Sequence, residues 1–104
     1  MVYVDGSHLF EDVFVDFYFL RQLLSEGGII LFDDSSDPHV AKVVCFIRNN
    51  FREQLSPFCL DPFRPDKGRP LKYRLAKILR RNHLTAFKKI GDCELSWNAP
   101  FRNF

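Results

Sequence analysis

The sequence predicts a small α/β domain, and three observations lead to that class. Apolar runs at residues 2–4 and 29–32 flank a helix-length apolar segment at 9–24, so strand, helix and strand fit within the about 30 residues of a βαβ unit. Both strands end in acidic turns, VYVDGSH at 2–8 and IILFDDSSDP at 29–38. The 104 residues are 46% hydrophobic and include twelve Phe, enough for one small core.

The first strand is predicted at residues 2–4, because its apolar run stops at Asp-Gly, a common turn dipeptide. A helix follows over residues 9–24, and its side chains predict one broad apolar face covered on two sides. Gly27 and Gly28 are predicted to end this helix, since glycine adopts the left-handed conformation cheaply. The apolar positions at helical spacing are Phe10, Val13, Phe14, Phe17 and Leu24.

A second strand at residues 29–32 is continuously apolar, which is typical of a parallel strand buried on both faces. The strands of a βαβ unit run in the same direction, so Asp5 and Asp33 are expected at one edge of the sheet if the strands are neighbours. Asp37 and Pro38 suit the N-cap and first position of a second helix. The predicted buried face of that helix contains Val40, Val43, Val44, Ile47 and Phe51.

The remainder of the chain is predicted to be less regular. Residues 2–55 form the βαβα core of a single domain spanning 1–104, and residues 56–70 contain four prolines and Gly68, so a loop is expected there. A basic amphipathic helix is expected at 71–81 and a late strand at 84–90, followed by an aromatic tail without a clear pattern.

The charge is divided between two parts of the chain. Residues 1–40 hold eight acidic residues and one basic residue, whereas residues 64–89 hold ten basic residues and one acidic residue. The basic segment at 64–89 supports an alternative function, a non-catalytic module that binds a polyanion or nucleic acid. It lacks interleaved exposed aromatic residues and a recognised nucleic-acid motif, so nucleic acid is the less favoured partner.

The cellular setting is predicted from what the sequence lacks. No apolar run reaches the roughly 18 residues of a membrane span, and residues 1–4 do not resemble a signal peptide. Cys45, Cys59 and Cys93 are far apart and suit neither a zinc site nor a disulfide scaffold. A cytoplasmic protein with reduced thiols and no membrane partner is the resulting interpretation.

Carboxylates gathered at one sheet edge predict a cation site. Asp5, Asp33 and Asp34 would repel one another unless a cation neutralised them, and their oxygen atoms suit Mg²⁺. His8 follows Asp5 by three residues and could accept a proton from a substrate hydroxyl. A structural explanation stays open, in which these residues only cap helices or close turns.

The segment VYVDGSHLFEDVFVDFYFLRQLLSEGGIILFDDSSDP resembles the fourth strand, following helix and fifth strand of class I S-adenosylmethionine-dependent methyltransferases, in particular bacterial small-molecule O-methyltransferases. LKYRLAKILRRNHLTAFKKIG, at residues 71–91, resembles the closing helix and strand of that family. The resemblance implies the C-terminal half of a Rossmann-like sheet and an ancestral methyl transfer to a hydroxyl group of a small molecule.

The resemblance also implies roles for the acidic turns. Asp5, Asp33 and Asp34 would bind Mg²⁺, His8 would be the catalytic base, and Asp5 and Gly6 would bind S-adenosylmethionine. The five glycines form no glycine-rich cofactor turn, so we expect no methyl transfer from this polypeptide alone. An uncovered edge of the first strand would favour self-association, or pairing with a separately encoded N-terminal half.

Overall fold

The computed structural model describes residues 1–60, 84–92 and 96–104. Over these residues the chain is an α/β structure, with helices packed on a mixed four-stranded sheet. This agrees with the predicted class. The elements in chain order are β1 (Val2–Val4), α1 (Phe10–Leu23), β2 (Ile29–Phe32), α2 (Pro38–Asn50), β3 (Leu55–Phe58) and β4 (Thr85–Lys89).

The strands lie side by side in the order β1-β2-β4-β3. β1 and β2 are parallel, with Val2 opposite Ile30 and Val4 opposite Phe32, as the βαβ interpretation predicts. β4 runs antiparallel to both of its neighbours, β2 and β3. The late strand predicted at 84–90 is therefore confirmed, and it lies in the interior of the described sheet.

Helix α1 ends earlier than its glycines suggest. Its C-cap is Leu24, whose backbone N–H donates to the carbonyl of Leu20 at 2.9 Å. Gly27 comes three residues later with φ +81, and its N–H donates to the carbonyl of Lys89 at 2.7 Å. The prediction that the glycines end the helix is wrong, because the left-handed residue instead forms the turn into β2 and ties that turn to β4.

Helix α2 begins as predicted. The Asp37 side chain accepts a hydrogen bond from the backbone N–H of His39 at 2.9 Å, and Pro38 is the first helical residue. Such a cap satisfies one of the donors that the first helical turn leaves without a partner. The predicted inner face is buried, and Phe46 is buried beside it.

The core lies between one face of the sheet and the two helices. Its aromatic centre includes Phe17 of α1, which meets Phe51 edge-on with ring centroids 5.1 Å apart. The opposite side of α1 keeps Val15, Tyr18 and Phe19 about half exposed, so the second cover expected for this helix is not supplied by the described residues. Among the described residues, the largest fully buried side chains are Phe17, Phe32, Phe87, Ile30, Ile47 and Val43.

The loop predicted for residues 56–70 is wrong at its start. Ser56, Pro57 and Phe58 belong to β3, which pairs with β4 through Leu55 opposite Lys89 and Phe58 opposite Ala86. β3 ends the strand order of the described sheet. A terminal strand tolerates proline, since the missing N–H need not join a ladder on the outer side.

Some predictions fall on residues outside the described ranges: the loop at 61–70, the basic helix at 71–81 and Cys93. Cys45 on α2 and Cys59 after β3 are exposed. Among the helices that the structure describes, none has the length and apolar character needed to cross a membrane.

Candidate functional site

The two acidic turns meet at the edge where β1 and β2 end. Val4 and Phe32 are register partners in the parallel pair, and the next residues along each strand are Asp5 and Asp33. The backbone N–H of Asp33 donates to the carbonyl of Val4 at 3.1 Å, which extends the pairing by one step. The structure therefore brings the turns together, as the parallel arrangement predicts.

Asp33 is held by two donors. The Tyr3 hydroxyl donates to Asp33 Oδ2, and the backbone N–H of Asp34 donates to Asp33 Oδ1 at 2.8 Å. The hydrogen bond to the carboxylate favours the protonated phenol. Together with partial burial and the nearby negative charges of Asp33, Asp5 and Asp34, it raises the pKa of Tyr3 to about 12.

Tyr3 was missed as a site residue by the sequence reasoning, although strand periodicity contains the signal. Tyr3 lies opposite Leu31 in the register. Side chains two apart on a strand point to the same face, so Leu31 and Asp33 share the face of Tyr3. Once the parallel register is assumed, a tyrosine at position 3 is expected to lie within reach of Asp33.

His8 lies between two other carboxylates. Its Nε2 atom is 3.5 Å from Asp34 Oδ2, and its Nδ1 atom is 4.0 Å from Asp37 Oδ2. The imidazole is about half exposed, with 51% of the side chain accessible. A carboxylate thus lies near each ring nitrogen of an imidazole that is open to solvent, and a histidine in such a position can act as a general base.

The turn from Asp34 to Asp37 positions these acids. Asp34 has φ 44, in the left-handed region that Asp tolerates better than most residues. The backbone N–H of Asp37 donates to the carbonyl of Asp34 at 2.7 Å. Asp37, predicted only as a cap, therefore has two contacts, one to α2 and one to His8.

His39 fastens the first helix to the second, and the sequence reasoning missed it. Its Nδ1 atom accepts a hydrogen bond from the backbone N–H of Phe10 at 3.2 Å. Phe10 begins α1, so one of the unpaired donors of its first turn is satisfied by α2. The contact fixes where α1 starts relative to α2.

The site forms a small open cleft at the carboxyl ends of β1 and β2, with a cavity volume of about 10 Å³. It joins an apolar floor to the acidic turns and the histidine. Its lining consists of Val4, Asp5, Gly6, Ser7, His8, Val13, Phe32, Asp33, Asp34 and Val40.

The described acidic turns do not present a cluster of metal ligands. Within residues 1–60, 84–92 and 96–104, no three His, Cys, Asp or Glu side chains are grouped as a metal site requires. This grouping gives no support for a resident Mg²⁺, and the metal role of Asp5, Asp33 and Asp34 stays a prediction.

Gly6 shows no requirement for glycine. A Cβ at this position would meet Asp16 Oδ2 at 3.5 Å, an ordinary van der Waals contact. The backbone of Gly6 thus does not form a close cradle that a side chain would fill. The cofactor role of Asp5 and Gly6 stays a prediction.

Lys89, the last residue of the basic segment 64–89, is buried. Only 3% of the residue is exposed, and Nζ donates to the carbonyls of Arg21 at 2.9 Å and Leu24 at 2.6 Å. It also lies 2.6 Å from Oδ1 of the exposed Asp92. Lys89 satisfies the C-terminal end of α1 and is not available to a polyanion.

No protein-family model, no curated protein and no solved structure matches this chain. The function must therefore be argued from the sheet and from the cleft at its edge.

Proposed function

We propose that the cleft at the carboxyl ends of β1 and β2 is the acceptor side of a class I methyltransferase-like site, which binds a small molecule through a hydroxyl group. The observation that carries the proposal is the placement of Asp33, Asp34 and His8 around one cleft. Ligands of open α/β sheets bind beyond the carboxyl ends of the strands, which is where this cleft lies.

The sheet supports the same proposal. Parallel strands β1 and β2, followed by an antiparallel last strand inserted before β3, give the order that the C-terminal half of a class I methyltransferase sheet would have. The order alone assigns no function, since one fold serves many activities. It supports the proposal because the polar residues stand at the edge where the acceptor would be bound.

The chemistry proposed for the chain's own residues is binding and proton removal. A substrate hydroxyl in the cleft would donate its proton to His8, while Asp34 and Asp37 stabilise the resulting imidazolium. Asp33, fixed by Tyr3, would accept a hydrogen bond from a second substrate hydroxyl through a remaining lone pair. S-adenosylmethionine, when bound, would supply an electrophilic methyl group.

We propose that the residues of this chain do not bind S-adenosylmethionine by themselves. The 104 residues contain no glycine-rich turn, and Gly6 lacks the close backbone approach of a cradle. Isothermal titration of this chain with S-adenosylmethionine is therefore expected to give no binding heat. Micromolar binding would show that this division of the site is wrong.

A chemical-shift titration with catechol, a small vicinal diol, tests the acceptor cleft. We expect the largest amide shifts at residues 5–8 and 33–34, with saturation. Shifts that are spread evenly over the described surface, or that cluster on α2 and β3, would contradict the proposal. The polyanion alternative has a separate test, because binding through phosphate contacts gives a salt-dependent retention on immobilised DNA.

A further inference from the structure

The tail segment, residues 101–104 (FRNF), lies against the two helices and is held by a defined set of contacts. Its two phenylalanines pack on Phe46 of α2, with ring centroids 5.7 Å away for Phe101 and 5.2 Å for Phe104. Phe104 also meets Phe10 of α1 edge-on, at 5.5 Å. The seat is an aromatic surface that spans both helices.

The backbone of the tail segment is recognised by amide side chains at the end of α2. Asn50 Oδ1 accepts from the backbone N–H of Arg102 at 2.9 Å, and Asn50 Nδ2 donates to the carbonyl of Arg102 at 2.8 Å. Asn49 Nδ2 donates to the carbonyl of Asn103 at 2.9 Å. Asn50 thus pairs with both polar groups of one residue, as a neighbouring β-strand would.

The two kinds of contact define what the surface accepts. The hydrogen bonds from Asn49 and Asn50 reach only the peptide backbone, so they do not select the side chains of the bound segment. The aromatic surface of Phe10 and Phe46 contacts two phenylalanine rings three residues apart, so it favours a segment with that spacing. Phe101 and Phe104 keep 66% and 48% of their surface exposed, so the tail segment is only partly buried. Phe46 beneath it is 7% exposed.

We propose that the surface formed by Phe10, Phe46, Asn49 and Asn50 is a peptide-recognition site for a Phe-x-x-Phe segment, occupied here in cis by residues 101–104. A partner protein that carries such a segment would bind by displacing the tail segment. The cis segment would weaken that binding by competing from the same chain, which gives it an effective concentration on the order of millimolar. This inference does not depend on the acceptor cleft.

The test uses the full chain with the substitutions Phe101→Ala and Phe104→Ala, which release the tail segment and leave the seat intact. The probe is a fluorescein-labelled Ala-Pro-Phe-Arg-Asn-Phe peptide, the sequence of residues 99–104. Fluorescence polarisation is expected to show saturable binding to the double variant, and binding about tenfold or more weaker to the unchanged chain. A peptide with both Phe replaced by Ala is expected not to bind.

Matched substitutions distinguish specific recognition of the peptide from nonspecific hydrophobic binding. In the double variant, Asn50→Ala is expected to abolish peptide binding, whereas Asn98→Ala, at an asparagine that accepts a hydrogen bond from Ser96, is expected to leave it unchanged. Equal binding of the all-Ala peptide, or no binding by the folded double variant, would overturn the proposal. Circular dichroism establishes that each variant is folded.

A second measurement needs no tail substitution. In the unchanged chain, the Arg102 amide is expected to exchange slowly with solvent, and Asn50→Ala is expected to remove that protection while amides in β2 stay protected. A rapidly exchanging Arg102 amide in the unchanged chain would contradict seating of the tail segment. If gel filtration shows that the unchanged chain forms a dimer which the peptide does not dissociate, the occupant is a second copy and the peptide assignment is overturned.

Discussion

The hydroxyl of Tyr3 donates a hydrogen bond to the carboxylate of Asp33 across the parallel pair of β1 and β2. The two residues are 30 positions apart in sequence, and the strand register brings them together at the rim of the cleft. The contact fixes the carboxylate of Asp33, while those of Asp34 and Asp37 lie beside His8.

This contact predicts the titration of Tyr3. The phenol is expected to titrate at about pH 12 in the folded protein, above its ordinary value near 10. In Asp33→Asn the pKa is expected to fall toward that ordinary value, because the charged acceptor is gone. Absorbance at 295 nm measures the change. In Tyr3→Phe the absorbance change that belongs to Tyr3 is lost, which identifies it in the titration curve. Tyr18→Phe, which replaces a tyrosine on α1, is the control.

The sign of the pH dependence follows from the raised pKa. Folding favours the protonated phenol, so this contribution to stability is fully present below about pH 10 and is lost as the pH rises through about 12. Urea denaturation between pH 9 and pH 12 is expected to show a steeper loss of stability for the wild type than for Tyr3→Phe. Identical slopes would mean that the contact does not form in solution.

Loss of the cap on α2 is expected to destabilise the chain. Asp37→Ala removes the acceptor for the His39 N–H, and removal of such caps costs about 0.5–2 kcal/mol. Asp37→Asn keeps a capping oxygen and is expected to cost less. Urea denaturation of the two variants separates the capping role from the charge that Asp37 presents to His8. Equal losses would point to charge instead of capping.

The buried ammonium of Lys89 predicts a contrast with its neighbour. Lys89→Met leaves the carbonyls of Arg21 and Leu24 without this donor, and an unsatisfied buried polar group costs about 1–3 kcal/mol. Lys88→Met, at an exposed position of the same strand, is expected to stay within about 0.5 kcal/mol of the wild type. The measurement is the free energy of unfolding for both variants, and a Lys88 effect as large as that of Lys89 would contradict the contact.

A pair of phenylalanines on α1 tests the core. Phe17→Ala empties a site that is 1% exposed and is expected to cost about 3–5 kcal/mol. Phe19→Ala, at a position that is 57% exposed, is expected to cost little. Thermal melts followed by circular dichroism compare the two variants. Similar melting temperatures would show that the inner face of α1 has been assigned wrongly.

Local patterns were sufficient to predict the βαβ unit, the start of α2 and the strand β4. Continuous apolar runs, helical spacing and an Asp-Pro start are signals contained within each segment. The same patterns failed at β3, because the prolines of residues 56–70 outweighed a short terminal strand whose pairing depends on distant residues. They also failed at Gly27, whose left-handed conformation serves a turn held by β4.

Only those site residues whose positions follow from the direction of the strands could be predicted from the sequence. Asp5 and Asp33 share an edge because β1 and β2 are parallel, which the βαβ pattern implies. The partners of Asp33 could not be read from spacing, since Tyr3 reaches it only through the register. The burial of Lys89 could not be predicted from the sequence either, because a run of basic residues predicts a solvent-exposed face. Its burial depends on the C-terminal end of α1, whose carbonyls Lys89 contacts from β4.

The most direct test of the central claim, that the cleft is an acceptor site, is the affinity of the chain for catechol with and without the imidazole of His8. Chemical-shift titration gives the dissociation constant, and His8→Ala is expected to weaken binding about tenfold, the loss of about 1.4 kcal/mol. His39→Ala, at a histidine that contacts Phe10 instead of the cleft, is the control and is expected to retain the wild-type affinity. Equal affinities for the wild type and His8→Ala would contradict the claim.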